Sequence, residues 1–98
     1  MSDWFLYLIR CCDGTLYTGI AVDVARRFTE HQKGTGAKYL RGRAPLALVF
    51  QKKIGSRSLA LAVEIRVKKL SKASKEELIK SKTHLARIVK QFKLKSTG

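Results

Sequence analysis

The sequence predicts an α+β fold in which a three-stranded, mainly antiparallel sheet is flanked by helices. Two strand-like segments joined by an Asp-Gly turn open the chain, and one further strand then alternates with segments of helical periodicity. Of the 98 residues, 45% are hydrophobic, which is enough for one small core. We therefore expect a single domain over residues 1–98, with the element order ββαβα followed by C-terminal helices.

The first two strands are predicted over residues 4–11 and 16–21, which are rich in aromatic and aliphatic side chains. Between them stands Asp13-Gly14, a dipeptide that favours a tight turn between antiparallel strands. The chain is therefore expected to begin with a β-hairpin.

The length of this turn decides whether Tyr7 and Tyr17 share a face of the sheet. A two-residue turn would place the two rings on opposite faces. A three-residue turn, with Gly14 in the left-handed conformation, would place them on one face, with Gly19 opposite Tyr7. Gly19 would then leave an open notch beside two phenols, and the prediction of a shared site depends on this second turn.

A first helix is predicted from the N-cap Asp23 to about Lys33, because Val24 and Phe28 form an apolar stripe at i, i+4 spacing. Glycines and basic residues then make residues 34–45 a surface loop.

A third strand is predicted over residues 46–53, where hydrophobic residues return after the loop. The alanine- and leucine-rich stretch 58–70 that follows is typical of a second helix. Either Ser56 or Ser58 would serve as its N-cap.

The C-terminal part of the chain is predicted to be helical and basic. Ser74 and Glu77 have the spacing of a capping box, which predicts a helix start at Ser74. From about residue 79 onward we expect a basic helical extension of the domain. Its apolar stripe consists of Leu85, Ile88, Val89 and Phe92.

The charge balance indicates a polyanionic partner. The chain carries 21 Lys plus Arg against 7 Asp plus Glu, a formal net charge of +14. Such an excess destabilises a compact fold through self-repulsion unless anions are regularly bound. Nucleic acid is therefore the expected partner.

Neither a membrane nor a disulfide framework is expected. No apolar run approaches the roughly 20 residues of a membrane-spanning helix, and no secretory signal is recognisable, so we expect a cytoplasmic protein. Cys11 and Cys12 are adjacent and have no further cysteine to pair with, which excludes C-x-x-C metal spacing.

An ordered set of residues resembles the GIY-YIG nuclease domain. The set consists of Tyr7, Tyr17-Thr18-Gly19, Arg27, His31 and Glu64. The phrases LYTGIAVDVARRFTEH, GAKYLRGR and SRSLALAVEIRVKKLS are similar to small stand-alone bacterial members of that superfamily. The likeness covers residues 4–78, with Phe-Leu-Tyr where the family has Gly-Ile-Tyr and threonine for isoleucine in the second motif.

The resemblance implies a catalytic role for five residues. Tyr7 and Tyr17 supply the general base, with Tyr7 slightly favoured and Tyr17 orienting water or phosphate. Arg27 stabilises the transition state through its fork of donors, and His31 relays a proton or holds the attacking water. Glu64 binds the metal ion, Mg²⁺ or Mn²⁺.

All five residues also have simpler interpretations. Tyr7 and Tyr17 would be core residues of the strands, and His31 would be a surface histidine. Arg27 would belong to the solvated face of a helix, like its neighbour Arg26. Glu64 would form an i, i+4 ion pair with Lys68, worth only about 0.3 to 0.5 kcal/mol.

A second group of residues is expected to bind nucleic acid. Lys38 and Tyr39 resemble a recurring pair of the stand-alone proteins and would contact phosphate and close the site. The C-terminal lysines add an electrostatic footprint without base information. The full predicted set is Gly19, Lys38, Tyr39, Arg41 and Arg43.

The sequence and the resemblance together favour a metal-dependent nuclease that hydrolyses phosphodiester bonds in DNA. DNA is favoured over RNA, and structure-selective cleavage in repair or recombination is the expected setting. We expect a monomer or weak dimer. The main alternative is a non-catalytic basic nucleic-acid-binding protein with a vestigial nuclease site, and a third is an accessory module of a larger repair assembly.

Overall fold

The computed structural model describes residues 3–97, with side chains described except at residues 82 and 94–97. Three strands form one sheet: β1 (Trp4–Arg10), β2 (Leu16–Ala21) and β3 (Ala47–Gly55). The strand order is β2-β1-β3, and β1 is antiparallel to both neighbours. The predicted antiparallel sheet is confirmed, with β3 extending two residues beyond its predicted end.

The turn between β1 and β2 has three residues. The Cys11 N–H donates a hydrogen bond to the Thr15 carbonyl at 2.9 Å, and Gly14 adopts a φ of 84°. This is the left-handed conformation that glycine adopts without steric cost. In the resulting register Tyr7 lies opposite Gly19 and Ile9 opposite Tyr17. Both tyrosines consequently project from the same face, as the three-residue turn requires.

Within residues 3–97 four α-helices surround the sheet: α1 (Val24–Gln32), α2 (Arg57–Lys68), α3 (Lys72–Lys80) and α4 (Lys82–Thr97). A single 3₁₀ turn, Lys38–Leu40, interrupts the loop after α1. The predicted N-cap Asp23 accepts from the Arg26 N–H, and Ser56 rather than Ser58 caps α2. None of the helices among residues 3–97 is long and apolar enough to span a membrane.

The predicted helix start at Ser74 is wrong. The hydroxyl of Ser71 accepts a hydrogen bond from the Ser74 N–H at 3.1 Å, so Ser71 is the N-cap and Ser74 lies in the first turn of α3. A serine hydroxyl satisfies the free N–H groups of a helix end equally well from either position. The end of α2 at Lys68 leaves only a short connection, and this favours the earlier cap.

Alternate residues of β1 separate two clusters. Leu6 and Leu8 point to one side, the aliphatic face, where α2, α3 and α4 cover them. Leu85 and Ile88 of the predicted C-terminal stripe are buried in this cluster.

Tyr7, Ile9 and Cys11 point to the opposite side, the tyrosine face, and pack against Val24 of α1 and Leu40 of the loop. Because β1 is the central strand, both faces are buried along it. The two tyrosines of the predicted site lie on the tyrosine face, next to α1, which carries Arg27 and His31. Glu64 comes from α2, the helix that covers the aliphatic face.

Candidate active site

The two tyrosines of the hairpin form the centre of the candidate site. Their ring centroids lie 6.4 Å apart with an interplanar angle of 43°. Tyr7 is 1% exposed, and its ring crosses directly over Gly19 on the neighbouring strand. A Cβ at Gly19 would collide with the hydroxyl and ring of Tyr7.

The open notch predicted at Gly19 is therefore wrong, because the Tyr7 ring itself fills this space. The predicted register is correct. The Tyr7 ring nevertheless has to cross β2, because its hydrogen-bond partner His31 lies on α1 beyond that strand. Gly19 serves the site by leaving room for Tyr7. Contact between Gly19 and nucleic acid stays a prediction.

His31 is buried in α1, 2% exposed, and is hydrogen-bonded through both ring nitrogens. Its Nδ1 accepts from the backbone N–H of Ala37 at 3.2 Å, and its Nε2 lies 2.9 Å from the Tyr7 hydroxyl. Since a neutral imidazole carries only one proton, the accepting Nδ1 places that proton on Nε2. His31 therefore donates to Tyr7. Burial, and secondarily the charge of Arg27, lower the pKa of His31, which favours this neutral form.

Arg27 lies one helical turn before His31, on the same face of α1. Its Nη1 donates to Oε1 of Glu30 at 3.0 Å. The side chain is 41% exposed, whereas that of the neighbouring Arg26 is 78% exposed. The two arginines thus differ in environment: Arg26 lies on the solvated face, and Arg27 faces the tyrosines.

Both phenols are harder to ionise than a free tyrosine. Burial, with a smaller contribution from the nearby Tyr17, raises the pKa of Tyr7 to about 12. Burial also raises the pKa of Tyr17. Arg27 acts in the opposite direction on Tyr7, through hydrogen bonding and through its charge. In the free protein both phenols are consequently protonated at neutral pH, and Arg27 is placed to favour the phenolate of Tyr7.

Glu64 of α2 brings a carboxylate to the same cluster. Its side chain is 15% exposed, and its charge contributes to raising the pKa of both phenols. The Lys68 Nζ lies 3.6 Å from Oε2, so the ion pair of the simpler interpretation is present. Among the side chains that the structure describes, no donor forms a hydrogen bond with Glu64.

The donor set at Glu64 fits a hard divalent cation bound largely by substrate and water. A mostly buried carboxylate with free lone pairs is the ligand type that Mg²⁺ and Mn²⁺ prefer. Within residues 3–97 no group of three or more His, Cys, Asp or Glu side chains is arranged to hold a metal by itself. A cation at this site would therefore depend on Glu64 together with phosphate oxygens and water.

The loop after α1 covers one side of the cluster with Tyr39. Its ring stacks on Tyr17 with centroids 5.8 Å apart. The Cζ atom of the Arg43 guanidinium lies over the Tyr39 ring, 4.3 Å from its centroid. Arg43 also binds Asp13 in the hairpin turn at 2.7 Å and the Tyr39 carbonyl at 2.8 Å. Arg43 thereby fixes the loop to the hairpin.

The other two basic residues predicted in this loop are placed differently. Arg41 donates through Nε to the Gly34 carbonyl at 3.2 Å. Lys38 is exposed and forms no hydrogen bond or ion pair with the residues described. Their binding to nucleic acid stays a prediction, as it does for Tyr39 and Arg43.

Several supporting residues were not identified from the sequence. Glu30 orients Arg27, and its i+3 spacing from that arginine was a usable signal. Gly36 makes room for His31, since a Cβ there would collide with Nδ1. The N–H of Ala37 that donates to His31 is a backbone group, so the residue type at position 37 could not have predicted this hydrogen bond.

Comparison with known proteins defines the class. Residues 3–77 match the GIY-YIG catalytic domain. The chain therefore belongs to the GIY-YIG family, part of a nuclease superfamily whose members generally depend on a divalent metal.

Within that family the chain is similar to small bacterial proteins. It is 61% identical over 79 residues to a UPF0213 protein of Cronobacter sakazakii, covering 81% of this chain and 83% of that protein. A UPF0213 protein of Salmonella typhi, YhbQ, is 56% identical over 79 residues, covering 81% of this chain and 79% of that protein.

Two solved structures share the fold. The NMR structure of a UPF0213 protein from Bacillus halodurans is 42% identical, with a TM-score of 0.52, and covers 80% of this chain and 83% of that chain. The NMR structure of an E. faecalis protein is 38% identical, with a TM-score of 0.59, and covers 82% of this chain and 85% of that chain.

Proposed function

We propose that the protein is a metal-dependent endonuclease that hydrolyses phosphodiester bonds in DNA. One observation carries the proposal: a buried tyrosine hydrogen-bonded to a neutral histidine lies beside both an arginine and a carboxylate that shift its pKa. A structural tyrosine in a strand needs none of these neighbours. Perturbed titratable groups that converge from separate elements are typical of catalytic sites.

Tyr7 is the proposed general base. Because His31 donates its Nε2 proton to Tyr7, the hydroxyl proton of Tyr7 points elsewhere. Once Tyr7 is ionised, its oxygen is stabilised by His31 and by Arg27. The phenolate then takes a proton from water, and the water oxygen forms a bond to phosphorus as the bond to the leaving sugar oxygen breaks. His31 in this scheme orients and stabilises Tyr7.

Arg27 and Tyr17 complete the site. Arg27 offers a permanently charged donor fork to the phosphate oxygens, which carry more negative charge in the transition state. Tyr17, next to Tyr7 and less buried, is placed to orient the attacking water or the phosphate. Glu64 would hold Mg²⁺ or Mn²⁺, which supplies Lewis-acid polarisation of the phosphate and stabilises the leaving oxygen.

The substrate preference follows from charge and from the completeness of the site. The excess of lysine and arginine supports binding to the DNA backbone, which carries no base information. We therefore infer selection of DNA shape rather than sequence, as in the processing of repair or recombination intermediates. All five catalytic groups come from one chain, which supports action as a monomer or weak dimer.

A non-catalytic nucleic-acid-binding protein is the second candidate. The observation in its favour is the ion pair between Glu64 and Lys68, which occupies one carboxylate oxygen. At 3.6 Å, with Lys68 51% exposed, this pair is weak enough for a metal ion to displace.

The two candidates are separated by a cleavage assay on labelled duplex, branched and single-stranded DNA and on RNA, with Mg²⁺, Mn²⁺ or chelator. Arg27→Met is compared with Arg26→Met, which removes the same charge one position away on the solvated face. We expect cleavage that requires metal, falls by about 10² to 10³ in Arg27→Met and in Glu64→Gln, and stays within about threefold in Arg26→Met.

The contrary outcome would be specific. If the wild-type protein binds DNA in a salt-dependent manner but cleaves none of these substrates, the nuclease proposal is wrong and the binding protein remains. Equal losses in Arg26→Met and Arg27→Met would show that total charge, and not the position of Arg27, matters.

A further inference from the structure

An open groove adjoins the candidate site at the N-terminal end of β2. Its volume is about 420 Å³. We call it the lysine groove, and it is lined by Leu16, Tyr17, Thr18, Tyr39, Lys68 and Lys75. Since Tyr17 also belongs to the catalytic cluster, the groove begins where the reacting phosphate would lie.

Two lysines face this groove, and the acidic partner nearest to them is Glu64. Among the side chains that the structure describes, Glu64 is the acid that pairs with Lys68, at 3.6 Å. Lys75 of α3 is half-buried, and none of the ion pairs formed among residues 3–97 includes it. Burial, together with the charge of Lys68, lowers the pKa of Lys75. Keeping the ammonium group of Lys75 half-buried near a second positive charge is unfavourable, and an anion in the groove would offset that cost.

A hydroxyl without a partner supports the same conclusion independently. Thr18 lines the groove and is 2% exposed, and its Oγ1 is a buried side-chain atom without a hydrogen bond. Buried hydroxyls almost always have partners, because an unmade hydrogen bond costs about 1–3 kcal/mol. An orphan hydroxyl in a groove that holds two lysines, of which only Lys68 has a weak acidic partner, indicates a site that is completed by a ligand with acceptor oxygens.

The groove at the opposite end of β2 has no excess of positive charge. The groove there is lined by Asp23, Arg26, Arg27 and Glu30 together with apolar residues, so its formal charges cancel. Of the two grooves at the ends of β2, the lysine groove therefore carries an excess of positive charge and the other does not.

We propose that the lysine groove binds the phosphate next to the scissile phosphate, with Lys68 and Lys75 as its cations and Thr18 as a hydroxyl donor. The inference rests on the proposed nuclease function, because that function supplies the neighbouring phosphate. The exposed ring of Tyr39, stacked on Tyr17, would then flank the nucleoside that joins the two phosphates.

The test compares thymidine 3′,5′-bisphosphate with thymidine 5′-monophosphate, titrated by NMR without metal at fixed salt. The bisphosphate offers one phosphate to Arg27 and one to the groove, and we expect it to bind at least about tenfold more tightly. In the double variant Lys68→Met/Lys75→Met the ratio of the bisphosphate affinity to the monophosphate affinity should fall to about one.

The control pair Lys69→Met/Lys80→Met removes the same number of charges at exposed positions outside the groove, at the C-cap of α2 and in the last turn of α3. It should keep the ratio. Equal loss of the ratio in both pairs, or no ratio above one in the wild-type protein, would overturn the proposed subsite.

Thr18→Val tests the hydroxyl separately. Because the hydroxyl has no partner in the free protein, its removal should leave the thermal midpoint unchanged or higher, yet reduce the bisphosphate ratio about threefold. A lower midpoint with an unchanged ratio would show that the hydroxyl is structural and does not bind phosphate.

These measurements require no cleavage, so the two proposals fail in different ways. A groove-dependent ratio in a protein that cleaves no nucleic acid would retain the phosphate site and remove the nuclease. Metal-dependent cleavage without the ratio would retain the nuclease and remove the site.

Discussion

The two faces of the sheet use the same central strand for opposite purposes. On the aliphatic face, Leu6 and Leu8 are completely buried in an apolar cluster closed by three helices. On the tyrosine face, the alternate residue Tyr7 places a hydroxyl next to an imidazole, and a guanidinium and a carboxylate lie close enough to shift its pKa. Packing on the first face fixes the backbone, and this permits the second face to hold buried polar groups at some cost in stability.

The register of the hairpin determines which side chains lie on each of the two faces. Because side chains alternate along a strand, a register shift of one residue would exchange the faces and bury the leucines among polar groups. The three-residue turn at Gly14 therefore determines the core and the site together. We expect substitutions on the two faces to separate activity from stability.

The largest effect should come from removing the Tyr7 hydroxyl. Tyr7→Phe keeps the ring over Gly19 but eliminates the proposed base, so cleavage should fall by about 10² to 10⁴. The matched variant Tyr17→Phe removes the hydroxyl of the neighbouring ring, whose centroid lies 6.4 Å from that of Tyr7. It should reduce cleavage only about tenfold. Both are measured as kcat/KM, with DNA affinity measured in parallel and expected to change little.

The pH dependence of cleavage sharpens this assignment. The pKa of Tyr7 is raised to about 12, so its phenolate becomes more abundant as pH rises through the neutral range, and wild-type cleavage should rise with it. A larger loss in Tyr17→Phe than in Tyr7→Phe would exchange the roles of the two tyrosines.

Leu8→Ala should have the converse effect. Leu8 is completely buried on the aliphatic face, and its truncation should destabilise the protein by about 2 to 5 kcal/mol. The folded molecules should retain kcat/KM within about threefold, because no atom of Leu8 belongs to the site. Urea unfolding gives the stability, and cleavage is assayed at a temperature where the variant is folded.

If Leu8→Ala is too unstable to assay, Leu8→Val removes less volume and answers the same question. A loss of kcat/KM in folded Leu8→Val as large as in Tyr7→Phe would show that the two faces are not separable.

The features of this molecule that depend on local geometry are predictable from the sequence. Asp13-Gly14 predicts the hairpin through local turn geometry but leaves two turn lengths open, and the three-residue turn seen in the structure gives Tyr7 and Tyr17 their shared face. Asp23 and Ser56 were recognisable as N-caps because capping is also local. The proximity of Arg27, His31 and Glu64 to the tyrosines was expected from the family resemblance alone.

Features that depend on docking between distant elements were not predictable. Arg10 on β1 binds Glu76 on α3 through two hydrogen bonds of 2.6 and 2.7 Å, and nothing in the spacing of these residues indicates it. The same docking brings Lys75 to the lysine groove. The misplaced cap at Ser74 has a related cause, since two serines compete locally and the chain connection decides between them.

The smallest expected effect is on the pH dependence of stability and comes from His31. In the folded protein it faces Tyr7 from β1, Tyr17 from β2, and Arg27 and Glu30 from its own helix. Its pKa is lowered below the ordinary value of 6.5, chiefly by burial. Between the lowered value and 6.5 the unfolded chain binds more protons than the folded one, so stability rises with pH.

This contribution is complete above pH 6.5 and is lost as the pH falls toward the lowered pKa of His31. Urea unfolding between about pH 7.5 and pH 5 should therefore show a decline that disappears in His31→Gln and persists in His84→Gln on α4. Asp13 and Glu76 also have lowered pKa values, but their contributions are lost at more acidic pH. An unchanged slope in His31→Gln would mean that the imidazole is not held neutral, and the proton placement that makes Tyr7 the base would be wrong.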